Sequence, residues 1–147
     1  MSLKIPEILL VDDDDTCIKA IKIILSKFPV TYTIANNGKE ALNIIEEKAK
    51  NDSYFNLILM DCNMPIMDGF EASKQIRKLK NFSSYYSEII IIALTANILI
   101  TNEESNSNYD IDFFLSKPLH LNEFLNVIYQ VKKKRSEKQA NSLIKCF

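Results

Sequence analysis

Short apolar runs rich in β-branched residues recur at Ile8 to Val11, Val30 to Ile34, Leu57 to Met60 and Ile89 to Leu94, with a weaker run at Phe113 to Leu115. The first, third and fourth show no alternation with polar residues, which is the pattern of parallel strands covered on both faces. Between the runs, apolar positions return at helical spacing. Ile18, Ile21, Leu25 and Phe28 share one face, and Asp14 or Asp15 stands where a cap belongs. Asn36-Asn37-Gly38 makes a turn, after which Ala41, Leu42 and Ile45 open a second helix. Ala72, Ile76 and Leu79 mark a third. Leu121, Phe124, Ile128 and Val131 mark the last, with Lys132, Lys133 and Lys134 at its C-terminal dipole. The segment after Leu94 is expected to be a fourth helix and is the weakest, because Ile98, Leu99 and Ile100 are followed by eight polar residues, 101–108, of low helix propensity. Strand and helix thus alternate five times. Short connections and right-handed crossovers then predict an α/β fold, a parallel sheet sandwiched between helices.

A chain of 147 residues suits one domain with a real core, here expected over 1–134, with 135–147 as a polar tail or linker that reads as a frayed helix extension or a linker stub. With 47% hydrophobic and 25% charged residues it falls in the ordinary globular class, and a net charge of −1 argues against a general nucleic-acid or membrane binder. No apolar run is long enough to span a bilayer, and no basic-then-apolar leader opens the sequence. The three cysteines, Cys17, Cys62 and Cys146, match neither a disulfide framework nor a zinc site. They read as free thiols in a reducing compartment, so a cytoplasmic location is expected, with the nucleus as the alternative. The basic run Lys132 to Arg135 reads as a solvated helix end. His120, the single histidine, follows a proline turn and has no helical context that would make it a phosphodonor.

The chemistry gathers at the carboxyl ends of the strands, where open α/β sheets place their sites. The first strand runs into Asp12-Asp13-Asp14-Asp15 and the third into Asp61. The fourth ends in Thr95, and the fifth is followed by Ser116-Lys117-Pro118. Asp12, Asp13 and Asp61 would then lie within a few ångströms of one another. Each like-charge pair costs about 4 kcal/mol at a separation of about 4 Å and an effective dielectric of about 20. Such a cluster calls for a cation, and a ligand set of hard oxygens without His or Cys selects Mg²⁺. Carboxylate, Mg²⁺, lysine and hydroxyl together suit phosphoryl transfer.

Two blocks carry a family resemblance: Leu57-Ile58-Leu59-Met60-Asp61-Cys62-Asn63-Met64-Pro65-Ile66-Met67-Asp68-Gly69-Phe70-Glu71 and Ile91-Ile92-Ala93-Leu94-Thr95-Ala96-Asn97. From about Ile5 to Val131 the chain resembles the response-regulator receiver domain of two-component signalling, and its wording is closest to receivers attached to hybrid histidine kinases. The resemblance implies a flavodoxin-like (βα)5 doubly wound sheet in the order 2-1-3-4-5, which a chemotaxis receiver also has. It implies Asp61 as phosphoacceptor, Asp13 as direct Mg²⁺ ligand with Asp12 nearby, and the backbone carbonyl of Asn63 as a further ligand. Thr95 becomes the switching hydroxyl, Lys117 the partner of Asp61 and then of the phosphoryl group, and Phe114 the aromatic that turns inward when Thr95 moves. Pro118 is expected to follow a cis bond. Asn63 and Asn97 flank the site and are expected to tune the reset rate. The implied partner is a histidine kinase or a histidine-phosphotransfer protein, and the favoured state is a monomer, either stand-alone or part of a longer hybrid kinase.

Blander and rival readings attach to the same residues. Met60, Met64 and Met67 read as packing, and Cys62 as a small buried hydrophobe. Val11-Asp12-Asp13-Asp14-Asp15-Thr16 also fits the Asp-x-Asp-x-Thr pattern of haloacid-dehalogenase-type phosphatases, but no acidic pair ends a strand after Lys117 and the Asp61 block would have no role. A receiver-like module that binds partners without taking phosphate usually lacks the acids or the lysine, and all are present here. One departure from the family stands out: Asp110 occupies the place of a glycine found seven residues before the lysine in many relatives. With the weak segment after Leu94, this makes an unusual output face the expectation.

Overall fold

The computed structural model describes residues 5–97 and 110–138, and for 134–138 it describes the backbone alone. Five strands, β1 (Glu7–Val11), β2 (Thr31–Ala35), β3 (Leu57–Asp61), β4 (Ile90–Thr95) and β5 (Phe113–Ser116), form one parallel sheet in the order β2-β1-β3-β4-β5. The central strands are the fully apolar runs. From Ile8 to Val11, Leu57 to Asp61 and Ile91 to Thr95 every residue is buried, whereas β2 at the edge shows Thr31, Tyr32 and Thr33 to solvent. Continuous hydrophobicity therefore marks burial on two faces, as expected for doubly wound sheets.

Helices α1 (Asp15–Leu25), α2 (Gly38–Lys50), α3 (Gly69–Lys78) and α5 (Leu121–Lys138) cover the two faces, and a four-residue turn of helix, α4 (Tyr85–Glu88), precedes β4. On one face Ile18, Ile21 and Leu25 of α1 and Phe124, Val127, Ile128 and Val131 of α5 pack on Ile8, Leu10, Leu59, Ile92 and Leu94. On the other, Ala41 and Ile45 of α2 and Ala72 and Ile76 of α3 pack on Leu9, Val11, Ile58, Met60, Ile91 and Ala93. Fully burying one such aliphatic side chain contributes about 1.5–3 kcal/mol, so two stripes of this kind account for the sandwich. The fold is the parallel sheet between helices that the alternation of elements predicts, with the flavodoxin-like strand order that the resemblance implies.

Side-chain caps open three of the helices, and at α1 the cap is one of the two residues expected. Asp14 accepts from Thr16 N–H at the start of α1, Asn37 from Glu40 N–H at α2, and Asp68 from Glu71 N–H at α3. Two particulars differ from the sequence reading. The third helix continues into a 3-10 turn at Leu79–Asn81 and is followed by α4, an insertion that no periodicity announced. The last helix runs to Lys138, since Arg135, Ser136, Glu137 and Lys138 contain no breaker, so Lys132, Lys133 and Lys134 lie inside it and not in its final turn. The expected fourth helix, residues 98–108, lies outside the described residues, as does the rest of the tail, 139–147.

Candidate functional site

Three strand ends close on themselves in the same way before they meet one another. At each, the backbone N–H two residues on donates to the side-chain oxygen at the strand end: Asp14 N to Asp12 Oδ1 at 2.9 Å, Asn63 N to Asp61 Oδ1 at 3.3 Å and Asn97 N to Thr95 Oγ1 at 3.0 Å. These are the short local turns that Asp and Thr favour, and they aim the side chains along the sheet's upper edge. The strands themselves are locked into register there: Cys62 N–H donates to Leu94 O, Lys117 N–H to Thr95 O and Asp12 N–H to Ala35 O.

Lys117 then joins the ends. Its ammonium donates to Asp12 Oδ2 at 3.0 Å and lies 3.1 Å from Asp61 Oδ1. Asp12 and Thr95 are wholly buried and Asp61 nearly so, whereas Asp13 is exposed. The Lys117–Pro118 peptide is cis, as expected. Carboxylate oxygens of Asp12, Asp13 and Asp61 all lie within 4.8 Å of one another. Three carboxylates face one ammonium, and burial with the charge of Asp12 outweighs the hydrogen bond from Lys117 and holds the Asp61 carboxyl above its ordinary value. For Lys117 the balance runs the other way. Burial alone would lower its value, but the hydrogen bonds to Asp12 and Asp61 raise it, so it stays charged. An oxygen-only donor set with uncompensated negative charge and one exposed member fits a hard divalent cation such as Mg²⁺.

The remaining candidates fall around this pocket. Asn63 and Asn97 are exposed at its rim. Phe114, expected to turn inward, is already inside: it is 7% exposed and packs against Phe70 with ring centroids 6.2 Å apart. Cys62 is buried, and burial beside the Asp61 charge pushes its thiol up to about 12, which suits the inert packing role. His120 is exposed and lies in the loop before α5.

The sequence reading missed two kinds of contact. Both glycines of the chain sit where backbone meets backbone. A Cβ on Gly69 would overlap the carbonyl oxygen of Asp61, and one on Gly38 would lie 2.7 Å from the carbonyl oxygen of Met67. Scarcity was the available signal, since a chain with only two glycines keeps them where a side chain does not fit. At the opposite pole Arg77 ties α3 to the strands. It donates to the carbonyls of Asp110, Tyr86 and Ile89 and to Asp112 Oδ2, and that carboxylate also accepts from Ile91 N–H. Asp110, which stands at the glycine position of many relatives, is thereby engaged through its carbonyl.

Comparison with known proteins identifies the family. The family model for the response regulator receiver domain matches residues 8–129. Hybrid signal transduction histidine kinase B of Dictyostelium discoideum is 35% identical over 139 residues, which cover 90% of this chain and 7% of that protein. Kinase F of the same organism is 39% identical over 116 residues, 79% of this chain and 10% of that protein. The chain therefore spans a tenth or less of the length of these relatives. Among solved structures, the receiver domain of a sensor histidine kinase from Pseudomonas aeruginosa, with magnesium coordinated in its active-site cleft, is 28% identical with a TM-score of 0.70, covering 88% of this chain and 97% of that one. The receiver domain of the response regulator Ssk1 of Saccharomyces cerevisiae, crystallised with the histidine phosphotransfer protein Ypd1, is represented by a match at 26% identity with a TM-score of 0.73, covering 97% and 99%.

Proposed function

The chain belongs to the response regulator receiver family of two-component signalling, and we propose that it accepts a phosphoryl group from a phosphohistidine donor onto Asp61. The observation that carries this reading is the placement of Lys117, which bridges Asp12 at 3.0 Å and Asp61 at 3.1 Å at the carboxyl edge of the sheet. An Asp61 carboxylate oxygen attacks phosphorus, the phosphorus–nitrogen bond breaks, and the electron pair leaves with the imidazole. Lys117 holds the charge of the carboxylate beforehand and of the phosphoryl oxygens afterwards. Mg²⁺ held by Asp13, Asp61 and the Asn63 carbonyl, with Asp12 close by, would supply further charge neutralisation.

Thr95 supports a two-state readout. Its oxygen accepts from Asn97 N–H while its hydroxyl proton stays available to a phosphoryl oxygen on Asp61, so a shift of Thr95 toward that oxygen would carry Asn97 with it. Phe114 occupies the inward position beside Phe70 and backs that rearrangement. Asn63 and Asn97, exposed at the rim, tune how fast water resets the acyl phosphate. The donor is a histidine kinase or a histidine-phosphotransfer protein, and the chain acts as a monomeric cytoplasmic switch, alone or within a hybrid kinase. Among the described residues no helix is long and apolar enough to cross a membrane.

The test is Mg²⁺-dependent labelling by a phosphorylated histidine-phosphotransfer protein or by acetyl phosphate, followed by mapping of the label. Label on Asp61, lost in Asp61→Asn, is expected. Label on Asp12 would support the phosphatase-type alternative, and no label at saturating Mg²⁺ would leave a binding module.

A further inference from the structure

The loop joining β3 to α3 carries a strained residue beside the candidate site. Among the described non-glycine residues, Ile66 adopts φ 71°, a region that β-branched side chains enter only under constraint. Its side chain is 83% exposed, so packing does not account for the conformation. Met67 N–H donates to Pro65 O at 2.7 Å, closing a three-residue turn over Ile66. The turn is held from outside the loop. Gly38, the first residue of α2, donates its N–H to Met67 O at 3.0 Å. Neither glycine has a positive φ, so Gly38 is not needed for backbone freedom. It is needed for space: a Cβ there would lie 2.7 Å from Met67 O, 2.8 Å from Ala72 Cβ and 2.9 Å from Met67 Cγ. The far end of the loop is pinned as well, by Gly69 N–H donating to Cys62 O at 3.1 Å.

We propose that Gly38 is a positioning residue for phosphoryl acceptance, clamping Met67 so that the strained Ile66 turn is kept and Asn63 is presented beside Asp61. The proposal rests on the reading of Asp61 and Asn63 given above. With the loop fixed at Cys62, release of Met67 lets Ile66 relax to negative φ. That rotation passes through Pro65 and Met64 to Asn63, whose N–H already makes the longest of the three strand-end bonds, 3.3 Å. A glycine at 66 holds the same turn without a clamp, because it carries no Cβ to oppose positive φ.

The experiment is a double-mutant cycle on the full chain, reading the Mg²⁺ concentration for half-maximal labelling of Asp61 by acetyl phosphate. Gly38→Ala is expected to raise it at least about fivefold, Ile66→Gly to leave it within about twofold, and the double variant to recover at least half of the shift on a logarithmic scale. A Gly38→Ala midpoint within about twofold of wild type overturns the proposal. So does a shift that is the same with and without Ile66→Gly, since a spacer between α2 and α3 would be indifferent to residue 66. If Gly38→Ala does not fold, the wild-type amide spectrum decides, with two glycine signals to follow. The Gly38 signal is expected to move with the site's Mg²⁺ midpoint, and a stationary signal overturns the clamp. Wild-type protein that is never labelled on Asp61 counts against the proposed function, whereas labelled wild type with an unaffected Gly38→Ala counts against the clamp alone.

Discussion

Lys117 donates to Asp12 Oδ2 at 3.0 Å across 105 residues of chain, joining the end of the last strand to the end of the first. Asp12 is wholly buried, so this ammonium is its counter-charge within the protein. Lys117→Ala leaves Asp12 and Asp61 facing each other without it. Breaking a buried pair from one side costs roughly 3–5 kcal/mol, and the partial exposure of Lys117 places the expected loss near the low end. The loss should shrink when Mg²⁺ is added, because the cation compensates the same carboxylates. Labelling of Asp61 should fall by about 10²-fold or more even at saturating Mg²⁺, on the scale of removing one donor from a developing charge. Thermal unfolding with and without Mg²⁺, alongside labelling rates, checks both; a Lys117→Ala protein labelled at the wild-type rate would remove the lysine from the mechanism.

Asp61 is itself a cost to the metal-free fold. Burial, reinforced by Asp12, raises its carboxyl above the ordinary value of 3.8 despite Lys117. The folded state thus holds the proton more tightly than the unfolded chain. Its contribution to stability is full below about 3.8 and declines as pH rises through the raised folded value. Asp61→Asn escapes the decline. The variant should melt higher than wild type at neutral pH in a chelator, and the gap should close below about pH 4. Adding Mg²⁺ should stabilise wild type more than the variant. A lower melting temperature for Asp61→Asn at neutral pH without metal would contradict the cluster's electrostatics.

How far the sequence discloses this molecule depends on the range of the interaction concerned. Ile8 to Val11, Leu57 to Met60 and Ile91 to Leu94 announce themselves because burial on both faces leaves no polar position in the run. Asp14 announces itself because capping is local to a few residues. Asp12, Asp61, Thr95 and Lys117 are legible as a group only because parallel strands bring all carboxyl ends to one edge. Ile66, Gly38 and Gly69 are not, since close approach of two backbones leaves no periodic trace. Arg77 is not legible either, since its partners lie 9 to 35 residues away. The insertion at 79–88 likewise lacks a repeating apolar face.

Arg77 yields a prediction about stability without chemistry. It satisfies three carbonyls and one carboxylate, and its side chain is largely covered. Arg77→Ala should destabilise by about 3 kcal/mol, since each partner left without a donor forfeits about 1 kcal/mol or more. In a domain of this size that is a fall in melting temperature of roughly 6–12 °C. Arg77→Lys should recover little, because one ammonium cannot reach so spread a set of acceptors. Labelling of the folded protein at saturating Mg²⁺ should stay within about twofold of wild type, because the network lies at the other end of the strands. A large loss of labelling in folded Arg77→Ala would mean that the two poles are coupled.

Gly69 should behave differently. In an exposed helix, replacing glycine by alanine gains about 1 kcal/mol. At the first position of α3 the added Cβ would overlap the Asp61 carbonyl oxygen and lie 2.9 Å from Met60 Cγ and 3.0 Å from the Asp61 carbonyl carbon. Met60 can rotate away, but the backbone of a central strand, hydrogen-bonded on both sides, cannot. The first turn of α3 must therefore retreat and strain the bond from Gly69 N–H to Cys62 O. Overpacking of this kind costs about 1–3 kcal/mol and should outweigh the gain in helix propensity. Because the retreating turn pulls on Cys62, the residue next to Asp61, labelling should fall about tenfold or more in protein that still unfolds cooperatively. The contrast with Arg77→Ala then separates position from stability, with one variant losing stability alone and the other losing both. Gly69→Ala with wild-type stability and wild-type labelling would show that α3 re-seats without disturbing the acceptor.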